Sequence, residues 1–564
     1  MNKQKQTVKN NNKISGYIFL ALRAGLPFII STVIGLMTKL WWIGWFIYIP
    51  IHELLRPFVE YPFAKFLKSR KMPQKELFGK IPASQKALIL LSENFMSKRS
   101  AEDFFTLAEM CAEKSGNIGF CLFFKGEKND LTQGFIYNKI TELNKKFGGG
   151  FACILKGKNA QDHILTVKRG AVTETVRYIK TGVHEFEEIF GDLSCFDGVK
   201  NLITVNETTK FDFGSIISLI SAAAHPQNGV KLSDEGNTVI EGYGIISPMV
   251  ICRFSNCSSA FFSRHYNRRN IKTSEDYLCK KIYMNAFDFG IFEGVGLIRT
   301  DAFYSCLNQK IPTEKIAAHT MVEGSFLRCG ICFDSEMTEQ FDGTVKEYFY
   351  RTKNLSREYF QSLFWMLPFI NLGGKREKNP VVFLNKIFLS DRITHLLGPL
   401  MSLLTIVISP FVSFGTAFFV LSIFSVVSFG ILDTFLLVYK NIGSLFTGKK
   451  REKDYNLTCS LPPCLFGLIT LPQSAFFTLC GAAQGIFSRK VSKRRKTNVK
   501  TRDKSTLLWI SRVVSFVFAA FIFLKFPLPG KIFAIFFAAG PLAAFLRGAE
   551  KPNGGFKSKF PLNA

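Results

Sequence analysis

Two long apolar blocks constrain the fold of this chain more than any other feature of its sequence. The first covers residues 16–55, and its roughly forty residues are enough for two membrane spans of about 20 residues each. The second begins after residue 391 and contains four apolar runs, at 396–411, 415–437, 507–524 and 532–545. If each run crosses the bilayer, the chain is a multi-pass membrane protein with about six spans, paired into hairpins.

One further apolar stretch, residues 461–487, differs from the others because prolines interrupt it. It contains Pro462, Pro463, Pro472 and Gln473. Proline removes a backbone donor and breaks the continuity of a helix. This stretch is therefore predicted to be an amphipathic segment at the membrane interface rather than a span.

The distribution of charge predicts how the protein is oriented. Lysine and arginine exceed aspartate and glutamate by 29, and basic clusters lie in the amino-terminal tail and at 448–453 and 488–504. With paired spans, these segments and the central block fall on one side, which the positive-inside rule identifies as the cytoplasm. A position between membrane segments favours lipid headgroups over nucleic acid as the partner of residues 488–504. No nucleic-acid partner is predicted.

The predicted organisation has four parts. Residues 1–15 form a basic cytoplasmic tail, and residues 16–56 form a transmembrane hairpin. Residues 57–390 form one large domain. Residues 391–564 form a membrane region with about four spans, an interfacial segment and basic cytoplasmic loops.

The central block has the alternating pattern of an α/β domain. Buried strands are predicted at 86–91, 119–124 and 150–155, with amphipathic helices between them. Ser100 is predicted to cap the first of these helices, with Asp103 completing an approximate capping box. Strand, helix and strand at about 30-residue spacing predict a right-handed parallel sheet, whose ligands lie beyond the carboxyl ends of the strands. The central block contains no GxGxxG or Walker motif, which argues against a dinucleotide or ATP as ligand.

Several short motifs follow one another along this block and beyond it. They are KRG (168–170), a strand ending in NET (206–208), AHPQN (224–228), EGYGIISP (241–248), FGIFEGVGLIRTDAF (289–303), AHTMVEGSFLRCG (318–330) and SREYFQ (356–361). In order and spacing they resemble the glycosyltransferase module of cyclic β-1,2-glucan synthases. The later stretches TLPQSAFFTLCGAAQGIFSRKVSKRR and AAGPLAAFLRG resemble membrane elements of the same family. The resemblance runs from the first hairpin to residue 548, and the family's phosphorylase-like carboxyl-terminal region is expected to be absent.

The resemblance implies a fold, a reaction and a set of partners. The implied fold is α/β, a GT-A (Rossmann-like) glycosyltransferase domain inserted between transmembrane helices, on the cytoplasmic side of a bacterial inner membrane. The implied reaction extends a β-glucan from UDP-glucose by inversion, with Mg²⁺ or Mn²⁺ as cofactor. The candidate partners are the lipid bilayer, UDP-glucose, β-glucan and an intact glucan synthase.

Two of the family's chemical motifs are altered in this chain. Where the family has paired aspartates for the metal, this chain has Val205 and Glu207, and one carboxylate binds a hard cation less well than two. Glu207 is the remaining metal candidate, and its alternative interpretation is a solvated loop residue. The position of the general base is Thr320, whose hydroxyl cannot take up a proton near neutral pH.

A third motif, the QxxRW-like sequence, is replaced by Thr-Lys-Asn-Leu at 352–355. Other positions of the family pattern persist. His319 and Glu323 are the remaining catalytic candidates, although Glu323 would equally suit an ion pair with a nearby arginine. The candidate substrate-binding residues are Lys168, Arg169, Asp301, Arg357 and Gln361. An exposed basic turn would explain Lys168 and Arg169 equally well.

The loss of three motifs, with the surrounding pattern kept, favours a catalytically impaired relative. Such a protein would act in β-glucan synthesis or export as an accessory or binding protein. The alternative is an active inverting UDP-glucose-dependent β-glucosyltransferase that uses Glu207 for the metal and Glu323 as the base.

Overall fold

Helices formed by the two apolar blocks precede and follow a central α/β domain along the chain. The computed structural model describes residues 2–68, 70–93, 96–125, 131–156, 168–251, 275–308, 320–339, 344–372, 375–379, 381–412, 414–447, 461–487 and 502–543. The amino-terminal block forms α1 (Asn2–Leu20), a π-helical turn (Ala21–Gly25), α2 (Leu26–Met37) and α3 (Trp41–Phe66). The basic tail predicted for residues 1–15 is thus helical from Asn2 onwards.

A mixed eight-stranded sheet forms the centre of the α/β domain. In chain order the strands are β1 (Ala87–Ser92), β2 (Ile118–Lys125), β3 (Phe151–Lys156), β4 (Glu188–Gly191), β5 (Asn201–Val205), β6 (Lys231–Leu232), β7 (Val239–Glu241), β8 (Ile245–Ile251), β9 (Gly296–Arg299) and β10 (Cys329–Thr338). The order across the sheet is β10-β8-β9-β5-β1-β2-β3-β4, while β6 pairs with β7 in a separate ribbon. β9 and β4 are antiparallel to their neighbours and the other pairs are parallel. The α/β fold predicted from the sequence is confirmed.

Helices cover both faces of this sheet. The helices of this part of the chain are α4 (Lys98–Ala112), α5 (Leu131–Phe147), α6 (Lys168–Thr181), α7 (Phe213–Ala224), α8 (Glu275–Phe287), α9 (Thr300–Leu307), α10 (Thr320–Leu327) and α11 (Val345–Gln361). One core packs α4, α5 and α7 on the sheet, and a second core packs α6, α9 and α10 on it. Because both faces are covered, β1 is buried along its whole length, as expected for a continuous apolar strand in a parallel sheet.

The amino-terminal cap of α4 differs from the sequence prediction. Ser97 is the N-cap residue, and its hydroxyl accepts a hydrogen bond of 3.1 Å from the backbone N–H of Ser100. Ser97 has an extended backbone, as an N-cap residue requires, whereas Ser100 lies inside the first helical turn. The prediction that Ser100 caps this helix was therefore wrong by three residues.

The carboxyl-terminal part of the chain is helical after a short hairpin of β11 (Phe369–Leu372) and β12 (Lys375–Lys378). Its helices are α12 (Phe383–Ile408), α13 (Gly415–Thr447), α14 (Leu461–Ile469), α15 (Leu471–Phe487), α16 (Arg502–Lys525) and α17 (Leu528–Ala543). Among the described residues, four helical stretches are long and apolar enough to cross a membrane: Asn11–Met37, Phe383–Phe411, Gly415–Leu436 and Thr506–Lys525. The axes of α14 and α15 differ by 74° across a short break, and the pair counts as a fifth candidate span if it forms one broken span.

The number of such helices is lower than the six spans predicted, for two physical reasons. α3 was expected to complete the first hairpin, but it carries His52, Glu53, Arg56 and Glu60 and does not qualify by composition. α17 is apolar but only 16 residues long, which is short for a 30 Å hydrocarbon core at about 1.5 Å per residue. The remaining apolar helices suggest that the protein is inserted in a membrane.

A buried ion cluster joins the two groups of apolar helices. Arg23, in the π-helical turn, donates a hydrogen bond of 2.8 Å from Nε to Asp391 Oδ1 of α12 and forms an ion pair with Glu60 of α3. Arg23, Glu60 and Asp391 are 5%, 0% and 7% exposed. Arg56 adds a second guanidinium, 3.2 Å from Glu60 Oε1. Because these charges are removed from water, each must be paired with an opposite charge. The cluster therefore specifies how the π-helical turn, α3 and α12 pack together.

We expect Arg23→Met to reduce the free energy of unfolding by about 3–5 kcal/mol, because it leaves Glu60 and Asp391 buried with too little positive charge. Thermal or denaturant unfolding of the detergent-solubilised protein measures this. The control is Lys139→Met, which breaks a solvent-exposed pair with Glu142 and should cost less than about 1 kcal/mol. Equal effects of the two substitutions would contradict a structural role for the cluster.

Candidate active site

One edge of the sheet gathers the loops that carry the candidate site. The parallel strands β1, β2, β3, β5, β8 and β10 all end at this edge, and β9 begins there because it runs in the opposite direction. Ligands of α/β sheets bind at such a carboxyl edge. We call it the carboxyl edge below.

A small cavity of about 60 Å³ opens at the carboxyl edge between β5, β8, β9 and β10. Its polar lining consists of Asn206, Ser247, Lys280, Glu293 and Glu339. Its apolar lining consists of Pro248, Val250, Ile291 and Val295. The cavity therefore combines fixed charges, hydrogen-bonding groups and hydrophobic walls.

Lys280 and Glu293 form the central ion pair of this cavity. Lys280 lies on α8, is 5% exposed, and places its Nζ 2.5 Å from Glu293 Oε2. The other carboxylate oxygen of Glu293 lies 3.3 Å from a terminal nitrogen of Arg392 on α12. Glu293 thus bridges two cations, one from the α/β domain and one from the first long helix of the carboxyl-terminal block.

Glu339 is held on the other side of the cavity by the loop that follows β5. Asn206 donates a hydrogen bond of 2.7 Å from Nδ2 to Glu339 Oε1, and the Thr209 hydroxyl donates one of 3.2 Å to the same oxygen. Thr209 also accepts a 3.0 Å hydrogen bond from the backbone N–H of Asn206, which closes the turn. These bonds connect the end of β5 to the end of β10.

Glu207, the predicted metal ligand, lies at the carboxyl edge two residues beyond β5. Its side chain is exposed to solvent, and its Oε1 accepts a hydrogen bond from the Ser100 hydroxyl of α4. Val205 is the last residue of β5 and is buried at 1% exposure. Val205, where the resemblance implies an acid, therefore belongs to the core.

The described residues do not provide a metal site of the expected kind. No three His, Cys, Asp or Glu side chains among them come close enough to share an ion. Three glutamates at the carboxyl edge have separate partners: Glu207 binds Ser100, Glu293 binds two cations, and Glu339 binds Asn206 and Thr209. A divalent cation needs several oxygen ligands that converge, and these carboxylates do not converge.

Thr320 and Glu323 lie in the first turn of α10. Thr320 is half-buried, whereas Glu323 is 4% exposed. α10 ends just before β10 begins at the opposite edge, so its amino-terminal end is directed towards the carboxyl edge. Arg328, a nearby arginine, pairs with Asp288 at 3.1 Å and donates to the Ile240 carbonyl. His319 lies outside the described residues.

Asp301 lies at the opposite edge of the sheet, away from Glu207. β9 runs antiparallel to β5, so Arg299 at its end pairs with Asn201 at the start of β5, and Asp301 follows in α9. Its carboxylate forms ion pairs with Lys180 and, at 3.5 Å, with Lys200. The structure therefore does not bring Asp301 together with Glu207.

Lys168 and Arg169 begin α6, and their side chains lie outside the described residues. α6 ends near Lys180, which binds Asp301 at the far edge. A helix rises about 1.5 Å per residue, so the backbone of Lys168 lies roughly 18 Å from that of Lys180, towards the carboxyl edge. Their predicted contact with a diphosphate remains a prediction.

The ion pairs of Asp301 predict a pH-dependent contribution to stability. Burial opposes ionisation of Asp301, but the hydrogen bond and charges from Lys180 and Lys200 outweigh it and hold its pKa below the usual value. The ionised carboxylate thus stabilises the fold above the unfolded-state pKa of about 4, and this contribution is lost as the pH falls below that value.

Asp301→Asn should therefore lower the melting temperature at pH 7. The difference from the wild type should shrink as the pH falls below about 4, the unfolded-state pKa of Asp. Thermal melts over this range measure the effect. Glu102→Gln, which removes an exposed carboxylate 3.9 Å from Lys98, is the control and should change little. A pH-independent difference for Asp301→Asn would contradict the ion-pair explanation.

Arg357 and Gln361 lie on α11, which packs along α15 of the carboxyl-terminal block. Close approach of the two helices requires glycine, because a Cβ at Gly481 would lie 2.3 Å from the Lys353 carbonyl oxygen and one at Gly485 would lie 2.7 Å from that of Arg357. Such contacts between small residues are typical of helices packed in membranes. Both predicted substrate-binding residues thus lie at the contact between domain and apolar helices.

We expect Gly481→Ala to destabilise the protein by about 1–3 kcal/mol, because its methyl group would overlap a backbone carbonyl that cannot move aside. Thermal unfolding in detergent measures this loss. Gly467→Ala in α14 is the control, since its nearest neighbour would be at 3.7 Å, an ordinary contact. It should be neutral or stabilise by up to about 1 kcal/mol. Equal tolerance at both glycines would show that α11 and α15 are not closely packed.

The sequence prediction missed Lys280, Glu293 and Arg392. The available signals were a lysine within the amphipathic α8, an acid just before a glycine-flanked strand, and a charged pair at the start of an apolar block. Each signal is weak alone. Only the sheet topology shows that the three residues meet.

Comparisons with known proteins give one sequence match of limited extent. No protein-family model matches this chain. A stretch of 146 residues is 26% identical to the cyclic beta-(1,2)-glucan synthase NdvB of Rhizobium meliloti (strain 1021), covering 26% of this chain and 5% of NdvB. This match supports the resemblance to glucan synthases over that stretch. The chain corresponds to only a small part of NdvB.

Among solved structures, the chain is similar to the mannosyltransferase PcManGT from Pyrobaculum calidifontis in complex with GDP-Man and Mn²⁺. The TM-score is 0.41 and the sequence identity 9%, over 79% of this chain and 99% of that one.

Proposed function

We propose that this chain is a membrane-embedded, glycosyltransferase-like protein that acts in β-glucan synthesis or export without carrying out glycosyl transfer itself. In this proposal it serves as a binding or accessory protein, beside an intact glucan synthase. The observation that carries the proposal is the Lys280–Glu293–Arg392 ion cluster in the cavity at the carboxyl edge, where the family resemblance implies a carboxylate-bound metal.

The chemistry of glycosyl transfer supports this proposal. Transfer from a nucleotide sugar needs stabilisation of the leaving diphosphate and a carboxylate to take the proton of the acceptor hydroxyl. The described carboxylates at the carboxyl edge do not converge on a metal, and the expected base position is Thr320. Both requirements of the reaction are thus weakened in one chain.

The proposed setting is the cytoplasmic membrane of a bacterium, with a GT-A-like domain of residues 57–390 on the cytoplasmic side. The apolar helices before and after the domain support membrane insertion. The basic segments at 448–453 and 488–504 support the cytoplasmic orientation through the positive-inside rule. The glucan-related role follows from the partial match to NdvB.

The second candidate function is an active inverting UDP-glucose-dependent β-glucosyltransferase. The observation that favours it is Glu323, a buried carboxylate in the first turn of α10 whose amino-terminal end is directed towards the carboxyl edge. Burial is one way in which proteins adjust a carboxyl group to act as a base. In this case Glu207 would have to hold Mg²⁺ or Mn²⁺, and the metal ion would stabilise the leaving diphosphate.

Release of UDP from UDP-glucose distinguishes the two functions. The purified protein is assayed in detergent with Mg²⁺ or Mn²⁺, beside its Glu207→Gln and Glu323→Gln variants and the Glu102→Gln control. We expect no release above background from any of the four proteins, because neither the metal ligands nor the base is in place. Release by the wild type and by Glu102→Gln that is abolished in either site variant would establish the active alternative.

A further inference from the structure

We propose that Lys280 acts as a built-in counter-cation, so that the carboxyl edge binds a nucleoside diphosphate, with a phosphate group of it at this cavity, without a divalent metal. This inference rests on the proposed function in treating the cavity as a glycosyltransferase-like site. It goes further by naming the ligand class and the residue that replaces the metal.

The position of Lys280 supports this role. Its side chain lines the cavity beside Asn206, the first residue after β5, where α/β sheets bind their ligands. The side chain is only 5% exposed, and its ammonium group lies 2.5 Å from Glu293 Oε2. A positive charge of the chain thus lies at the carboxyl edge, beside the residue that follows β5.

The partners of Glu293 indicate what kind of ligand fits. Its carboxylate accepts from Lys280 on one oxygen and from Arg392, at 3.3 Å, on the other. A phosphate group offers the same negative oxygens to the same two cations and forms charge-assisted hydrogen bonds of similar strength. A diphosphate could therefore replace Glu293 between Lys280 and Arg392, with the Asn206 amide and the Ser247 hydroxyl as further polar contacts.

The charge balance argues against a metal in the same place. Lys280 and Arg392 both pair with the carboxylate of Glu293, so two positive charges of the chain already lie at this place. A divalent cation would have to displace Lys280 from Glu293 and would then lie close to the ammonium group, where like charges repel. An anion that displaces Glu293 takes over its ion pairs with Lys280 and Arg392.

Calorimetry measures the binding of UDP to the whole chain in detergent, first with EDTA present and then with Mn²⁺ present. We expect binding in EDTA that Mn²⁺ does not strengthen. In Lys280→Gln the dissociation constant should rise at least about tenfold, because a charge-assisted hydrogen bond is lost. Lys281→Gln, a neighbouring and more exposed lysine on the same helix, is the matched control and should bind as the wild type does.

The melting temperature of Lys280→Gln shows whether this variant folds. If it folds poorly, three other measurements test the same inference. Lys280→Arg keeps the charge and should retain most of the affinity. In the wild type, binding should weaken with rising salt, and pyrophosphate should displace UDP whereas uridine should not. Binding that requires Mn²⁺, the absence of UDP binding, displacement by uridine alone, or wild-type affinity in Lys280→Gln would each overturn the inference.

Failure of this inference is distinguishable from failure of the proposed function. Turnover of UDP-glucose would contradict the proposed function, whatever UDP binding requires. Metal-independent UDP binding that is lost in Lys280→Gln would support the inference with or without turnover.

Discussion

The buried ion cluster of Arg23, Glu60 and Asp391 is the constraint on which the arrangement of this protein depends. Each of these groups loses its hydration on folding, so each needs the opposite charge of the others at close range. Apolar side chains in a membrane can pack in many ways with little difference in free energy, whereas this cluster is stable only in arrangements that pair its charges. It therefore fixes the π-helical turn, α3 and α12 relative to one another.

The same constraint extends to the candidate site through two consecutive residues of α12. Asp391 pairs with Arg23 on the side of the apolar helices, and Arg392 pairs with Glu293 at the carboxyl edge. Consecutive residues of a helix point about 100° apart, so one helical turn can serve two clusters on different faces. Any shift of α12 that breaks the first cluster also moves Arg392 away from the cavity.

The sequence predicts those features of the fold that depend on local pattern. The apolar runs that form β1, β2, β3 and β5 are visible because parallel strands are buried on both faces. The reversed direction of β9 is not visible, since it depends on pairing with β5 some 90 residues earlier in the chain. That reversal places Asp301 at the far edge and Glu293 at the carboxyl edge, which motif order alone does not reveal. The prediction of Glu207 as a metal ligand remains a prediction, although the structure places this residue at the carboxyl edge, and the cations were missed.

Lys280 explains how the charged cavity is stabilised where the described carboxylates do not converge. Carboxylates that face a metal site are stabilised by an ion taken from solution, and without that ion they repel one another. Here Glu293 is neutralised by cations that belong to the chain, so the cavity needs no bound ion to be stable. Val205, the last residue of β5, packs in the same core as Val295, which lines the cavity. The cavity is thus held by apolar packing and by charges that both belong to the chain itself.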